Sequence, residues 1–159
     1  MAEKPRAINM NAALNTSLYL EIPGMEEINY FVQNAEIPGM QMVGVDSPYQ
    51  KYGTSVPSNR IEYDPFNCVM IVDEDMRNFE MMKEWFERVR DTEPVIDELK
   101  TFTLHMTTSR KTANVQIVFH GAYPTLVGAM TVNSDASETN PVICSLSFRY
   151  QYYEIKRNK

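Results

Sequence analysis

Basic side chains are scarce in this sequence. It carries 15 Lys and Arg against 21 Asp and Glu, for a net charge of −6 and a pI near 5.0. Surfaces that grip DNA or RNA usually show the opposite imbalance, which argues against a nucleic-acid-gripping surface here other than a local patch. Cysteine and histidine are scarcer still, with two of each: Cys68, Cys144, His105 and His120. No CxxC or HxxxH spacing occurs, so no zinc site is expected. Both cysteines sit in apolar strand-like runs, NCVMIV and VICSLSF, and are expected to be buried free thiols. No apolar run approaches the roughly 20 residues of a membrane helix. The N-terminal MAEKPRAINMNAALN also lacks the apolar core of a signal peptide. A cytoplasm-like compartment, with no membrane partner, is expected. The motifs GxGxxG, GxxxxGK[ST], GxSxG and HExxH are all missing. No catalytic residue, cofactor-binding residue or metal ligand is assigned, and no cofactor is expected.

What is present is the material of one domain. A chain of 159 residues can bury roughly 70% of the surface that its unfolded form exposes, so it needs no staple to fold. The pentapeptide EIPGM occurs twice, at 21–25 and 36–40. Pro-Gly presets a turn: proline fixes φ at the second position, and glycine takes a positive φ at the third. Residues 17–22 read as a short strand and 27–37 as a second. Pro23-Gly24 is expected to form the tight turn between these two neighbouring strands. Pro38-Gly39 ends the second strand and opens residues 40–60, where Gly44, Pro48, Gly53 and Pro57 rule out a central strand. That segment is an extended two-stranded arm or a loose loop, and connections of this length are uncommon unless they serve a purpose. Residues 1–16 read as an N-terminal arm.

Strand character returns at 61–72, broken by Pro65. The period then changes. Phe79, Met82, Trp85, Phe86 and Val89 recur at helical spacing, which predicts one amphipathic helix over 76–90 with these five residues as its core face. Asp73, Glu74 and Asp75 precede it, and they read as carboxylates accepting from the open N–H groups of the first turn rather than as a cation site. Most of the eleven methionines are expected to fill core gaps. Further strands are expected at 101–108, 113–120 and 122–132. A closing strand, VICSLSFRYQYYEI, alternates with Cys144, Leu146, Phe148, Tyr150 and Tyr152 on one face. The fold class is mainly β (α+β): an antiparallel barrel or sandwich of about seven or eight strands, with one flanking helix and a long arm.

The string YFVQNAEIPG, the irregular segment after it, the string VPSNRIEYDPFNCVMIVDEDMRNFEMMKEWF and the closing SLSFRYQYYEI resemble tail tube proteins of contractile-tailed bacteriophages, in particular the T4-type tube family. The resemblance spans roughly residues 17–155 as a single tail-tube-like domain. It implies a non-enzymatic structural protein of the virion tail, assembled in the host cytoplasm. Its hexameric rings would stack into a tube through which DNA passes. The implied partners are further copies of itself, the tail sheath and the baseplate. The arm of 40–60 would make the contacts between subunits, through Pro38, Gly39, Met42, Val45, Tyr49, Tyr52, Val56 and Pro57. A net negative charge suits a conduit that must pass DNA without holding it. Two other readings stay open: a tube-initiator or hub ring of the baseplate with the same fold, and a small β-barrel binding protein with a site around His105, His120 and Asp73.

Overall fold

A computed structural model describes residues 18–29, 31–49, 52–107, 113–133 and 140–157. The expected N-terminal arm therefore lies outside the described residues. The elements in chain order are β1 (Leu18–Glu21), α1 (Glu26–Asn29), β2 (Val32–Glu36), β3 (Met40–Tyr49), β4 (Tyr52–Tyr63), β5 (Phe66–Ile71), α2 (Arg77–Asp91), a 3-10 turn at Val95–Glu98, β6 (Lys100–Thr107), β7 (Ala113–Val127), β8 (Ile143–Arg149) and β9 (Tyr152–Arg157). Every strand pairing is antiparallel. This is the expected mainly β fold with one long helix. No helix among the described residues is long and apolar enough to cross a membrane.

Seven strands form two four-stranded sheets that share β7. One runs β1-β6-β7-β9 and the other β7-β8-β5-β2. The sequence predicted separate strands at 113–120 and 122–132, but the chain runs straight through as one. Gly121 makes this possible. It adopts φ +62, and a Cβ there would lie 2.7 Å from the Gln151 side chain. The bend lets the first half of β7 pair with β6 and β9 while its last residues pair with β8.

The closing segment breaks at the same level. It is two strands, not one, with Tyr150 and Gln151 between them, and the Gln151 N–H donates to the His120 carbonyl at 2.9 Å. The break shifts the alternation by one residue. Cys144, Leu146 and Phe148 face inward as expected, but in β9 it is Tyr153 that packs on the core while Tyr152 is 43% exposed.

Between the sheets sits an aromatic core. Phe66, Phe102, Phe119 and Phe148 are fully buried, and Phe66 lies 4.9 Å from Phe119 and 5.3 Å from Phe102, ring centre to ring centre. Helix α2 closes the core. Asn78, Met82 and Trp85 are buried and Val89 packs beside them. The Trp85 ring lies 5.8 Å from Phe148, and its Nε1–H donates to the Glu98 carbonyl at 3.1 Å. Phe86 departs from the expected core face and is 39% exposed. At ~100° per residue it stands ~70° from the centre of the stripe set by residues 78, 82, 85 and 89. Phe79, on the same flank, is half-buried.

The chain between β1 and β2 also differs from expectation. Residues 27–37 are not one strand. Ile22, Met25, Ile28 and Val32 are all buried at helical spacing: Ile28 lies in α1, Ile22 and Met25 in the turn before it, and Val32 opens β2. The turn at Gly24 (φ +78) is real, yet it does not join paired neighbours: β1 pairs with β6 and β2 with β5. The start of α2 is also made otherwise. No side chain caps it at Met76, whose φ is +57. Asn78 instead accepts from the Asp73 N–H at 3.2 Å and donates to the Ile71 carbonyl at 2.8 Å. Asp75 pairs with Arg77 at 3.3 Å.

Trp85→Ala should therefore cost about 3–5 kcal/mol in chemical denaturation, and Phe86→Ala clearly less, because only the first opens a cavity in the core. Cys68 and Cys144 are free and buried, and burial pushes the Cys68 thiol up to about 12. At pH 8 a thiol-reactive dye should label neither cysteine in the folded protein and both in denaturant; rapid labelling of the native protein would contradict this packing.

Candidate functional site

The feature with least support from its own chain is the β3–β4 hairpin. It forms a separate two-stranded sheet that pairs with no strand of the other two. This settles the choice between arm and loose loop in favour of a two-stranded arm. Pro48 and Gly53 face each other across it, and the two strands continue to Tyr49 and Tyr52. A ten-residue strand spans roughly 33 Å. Proline is tolerated because a two-strand ribbon has only edge strands. A register shift falls between Met42 and Gly44, and such irregularities increase local twist.

The hairpin exposes apolar side chains. Met42, paired with Ile61, and Val45, paired with Val56, are each more than half exposed or close to it, as are Met40 and Ile37 near the base. Large apolar side chains left exposed on one element make it a candidate interface. Of the eight residues expected to make contacts, Met42, Val45, Val56 and Pro57 are exposed on the ribbon. The Tyr49 and Tyr52 side chains lie outside the described residues. Pro38 is buried at the foot, within its own chain. Gly39 is structural too: a Cβ there would stand 2.8 Å from the Asp64 carboxylate, and its carbonyl accepts from the Asp64 N–H at 3.1 Å.

Open sheet edges are the second feature. Among the described residues β1, β2 and β9 each pair on one side only. Short length protects β1, and the charges of Glu154, Lys156 and Arg157 protect β9. β2 (VQNAE) carries no charge before Glu36. The outward face of the sheet containing β2 is sparsely charged and mixes Asn and Ser with the exposed Leu126 and Ile143. Cross-strand pairs place Glu36 beside Asn67, Asn67 beside Ser147, and Asn34 beside Val69 and then Ser145. Arg149 lies at its end beside Tyr123.

The two histidines lie on the outward face of the other sheet. His105 Nε2 is 2.8 Å from a Glu21 carboxylate oxygen, and its ring stacks on Tyr19 with centroids 4.2 Å apart. His120 stacks on Tyr152 at 4.6 Å and stands 3.7 Å from Glu154. In each case an edge strand supplies a Tyr and a Glu two residues apart to a histidine of the next strand. These pairings tie β1 to β6 and β9 to β7. They had no local sequence signal, because the partners are distant in the chain. Asp73 lies in a different part of the fold, before α2, with one carboxylate oxygen buried and without a hydrogen-bond partner. Among the described residues no three His, Cys, Asp or Glu side chains come together as a metal site.

Known structures share the whole architecture. A chain of the sixfold-symmetrised baseplate of the anti-feeding prophage is 12% identical, with a TM-score of 0.66 over 92% of this chain and 97% of that one. A chain of the sheath–tube complex of the extracellular contractile injection system PVC, in its extended state, is 8% identical with a TM-score of 0.65 over 94% of each chain. Hcp1 from Flavobacterium johnsoniae is 13% identical, with a TM-score of 0.55 over 89% of this chain and 95% of that one. No curated protein matches the sequence. The sequence of residues 6–109 matches the phage tail tube protein family, so with β1 to β6 in that span the chain belongs to this family.

Proposed function

We propose that this protein is the repeating subunit of a contractile tail's inner tube: six copies close into a ring, and rings stack into a conduit for DNA. The projecting hairpin carries this reading. Its apolar pairs, Met42 with Ile61 and Val45 with Val56, have no strand of their own chain to cover them, and a monomer that kept them in water would be prone to associate. Closed rotational symmetry gives such a surface a finite, repeated partner. The open edge of β2 supplies a second contact, because a backbone edge left unpaired accepts a strand from another subunit. The tail sheath and the baseplate are the further partners of such a tube, and the virion tail, assembled in the host cytoplasm, is its place.

The sheet β7-β8-β5-β2 suits the wall of the conduit. Its outward face offers Asn34, Asn67, Ser145 and Ser147 beside the exposed Leu126 and Ile143, with Glu36 and Arg149 as its charges. Hydroxyl and amide groups give DNA phosphate few cationic anchors, so the salt-dependent attraction that holds a polyanion is weak. Helix α2 carries no acidic surplus either, since Arg77, Lys83, Arg88 and Arg90 match its Glu80, Glu84, Glu87 and Asp91. Sparse charge, rather than the net negative charge of the whole chain, is what would keep DNA from sticking.

A ring of the baseplate is the second reading, since the fold matches a baseplate chain as closely as a sheath–tube chain. Counting copies of the chain in intact particles separates the two: scores of copies for a tube, about one or two rings' worth for a baseplate component.

Two variants test the role of the hairpin. Deleting residues 44–57 should leave the circular dichroism spectrum of a folded β protein and abolish sedimenting assemblies. Met42→Asp should do the same with a stability change within about 0.5 kcal/mol, as expected for an exposed site. Assembly of both variants at wild-type protein concentration would refute the role of the hairpin.

A further inference from the structure

The foot of the hairpin is tied to the place where the two sheets meet. β3 enters after Gly39 and β4 leaves at Tyr63, and the two exits are joined by the Asp64 N–H donating to the Gly39 carbonyl at 3.1 Å. From the other side the Tyr150 hydroxyl donates to the Asp64 carbonyl at 2.8 Å. Tyr63 completes the grip, with its ring 5.8 Å from Tyr150 and 5.5 Å from Tyr153. Those two tyrosines rest on the buried Phe119, at 4.9 and 5.7 Å. Tyr150 itself sits in the break between β8 and β9, next to Gln151, whose side chain occupies the space left by Gly121.

We propose that Tyr150 is a positioning residue for the arm: its hydroxyl, through the Asp64 carbonyl, sets the direction in which the hairpin leaves the two-sheet body. This rests on the hairpin being the intersubunit arm. The geometry favours a directional role over a purely packing one. Ring contacts with Tyr63, Tyr153 and Phe119 have broad geometric preferences and on their own leave the ribbon more freedom to swing about its base. The hydrogen bond to Asp64 is the directional link from the core to the chain just beyond β4, and hydrogen bonds weaken steeply with misalignment. A 33 Å ribbon, by the roughly 3.3 Å rise of each strand residue, amplifies any change of angle at its foot into a displacement at its tip. Subunits presenting the ribbon at variable angles would meet their neighbours less often in a productive pose, and ordering it would then oppose association. The same link makes the corner at Gly121 and the arm one mechanical unit, so a strain on the arm bears on the angle between the sheets.

Tyr150→Phe in the full-length chain is the test, because it keeps the ring and its contacts and removes only the hydroxyl. In unassembled protein, hydrogen exchange of the β3–β4 amides should quicken by about tenfold, as loss of one such hydrogen bond allows. Exchange of β5 and β8 should stay at wild-type rates, with thermal unfolding nearly unchanged. The concentration needed for assembly should rise by a similar factor. Wild-type hairpin exchange and a wild-type assembly threshold would overturn the proposal. So would faster exchange spread equally over β5 and β8, which would make Tyr150 a general stabiliser. The 44–57 deletion separates the two levels: if it assembles, the arm reading fails whatever Tyr150→Phe does; if only Tyr150→Phe assembles normally, the arm stands and its positioning by Tyr150 falls.

Discussion

One strand serving two sheets is the constraint on which this fold depends. β7 can pair with β6 and β9 and then with β8 only because it bends at Gly121. A φ of +62 there costs a side-chain-bearing residue about 1–2 kcal/mol, and the Gln151 side chain would have to move aside for a Cβ. The neighbouring strand accommodates the bend by breaking at Tyr150 and Gln151. Four phenylalanines fill the space between the two sheets, and α2 closes it with Trp85. The outward faces of the sheets are thereby separated, one sparsely charged and rich in Asn and Ser, the other bearing the two His–Glu–Tyr sets.

The body so formed packs its own core and leaves two kinds of surface open to a partner. One is the open backbone edge of β2; the other is the apolar skin of the hairpin. Both are costly in an isolated subunit and useful in a repeating one. Membership of the phage tail tube family gives these surfaces a common explanation. Among the described residues the hairpin is firmly attached at its foot, where Gly39, Asp64, Tyr63 and Tyr150 meet. The histidine sets hold the edges of the other sheet from the side, through contacts between strands rather than by backbone pairing alone.

Much of this could be read from the sequence where the signal is local. The alternation of Cys144, Leu146 and Phe148, the period of Met82, Trp85 and Val89, and the glycines and prolines of 40–60 each report their own element. What could not be read is non-local. The long closing run alternates without interruption, so nothing in it shows that the phase slips at Tyr150; the slip exists because the neighbouring strand bends at Gly121. Phe86 fits a helical pattern, but which side of a wide apolar stripe meets the sheets depends on where the sheets lie. The helical spacing of Ile22, Met25, Ile28 and Val32 was a readable signal, masked by β-branched and aromatic residues that suggested a strand. His105 and His120 gave no sign of their partners, since Glu21 and Tyr19 lie more than eighty residues from His105. The fold and the arm were thus accessible, whereas the geometry of the arm's foot was not.

The central claim is that the hairpin and the sheet edges exist for self-assembly into a tube. Electron microscopy with three-dimensional reconstruction of the assembled wild-type chain tests this most directly. The account predicts stacked sixfold rings, with β3–β4 lying against a neighbouring subunit and the Asn34, Asn67, Ser145 and Ser147 face turned to the channel. A protein that stays monomeric at high concentration and in the presence of baseplate components, or a ring whose hairpins stand free in solvent, would contradict it.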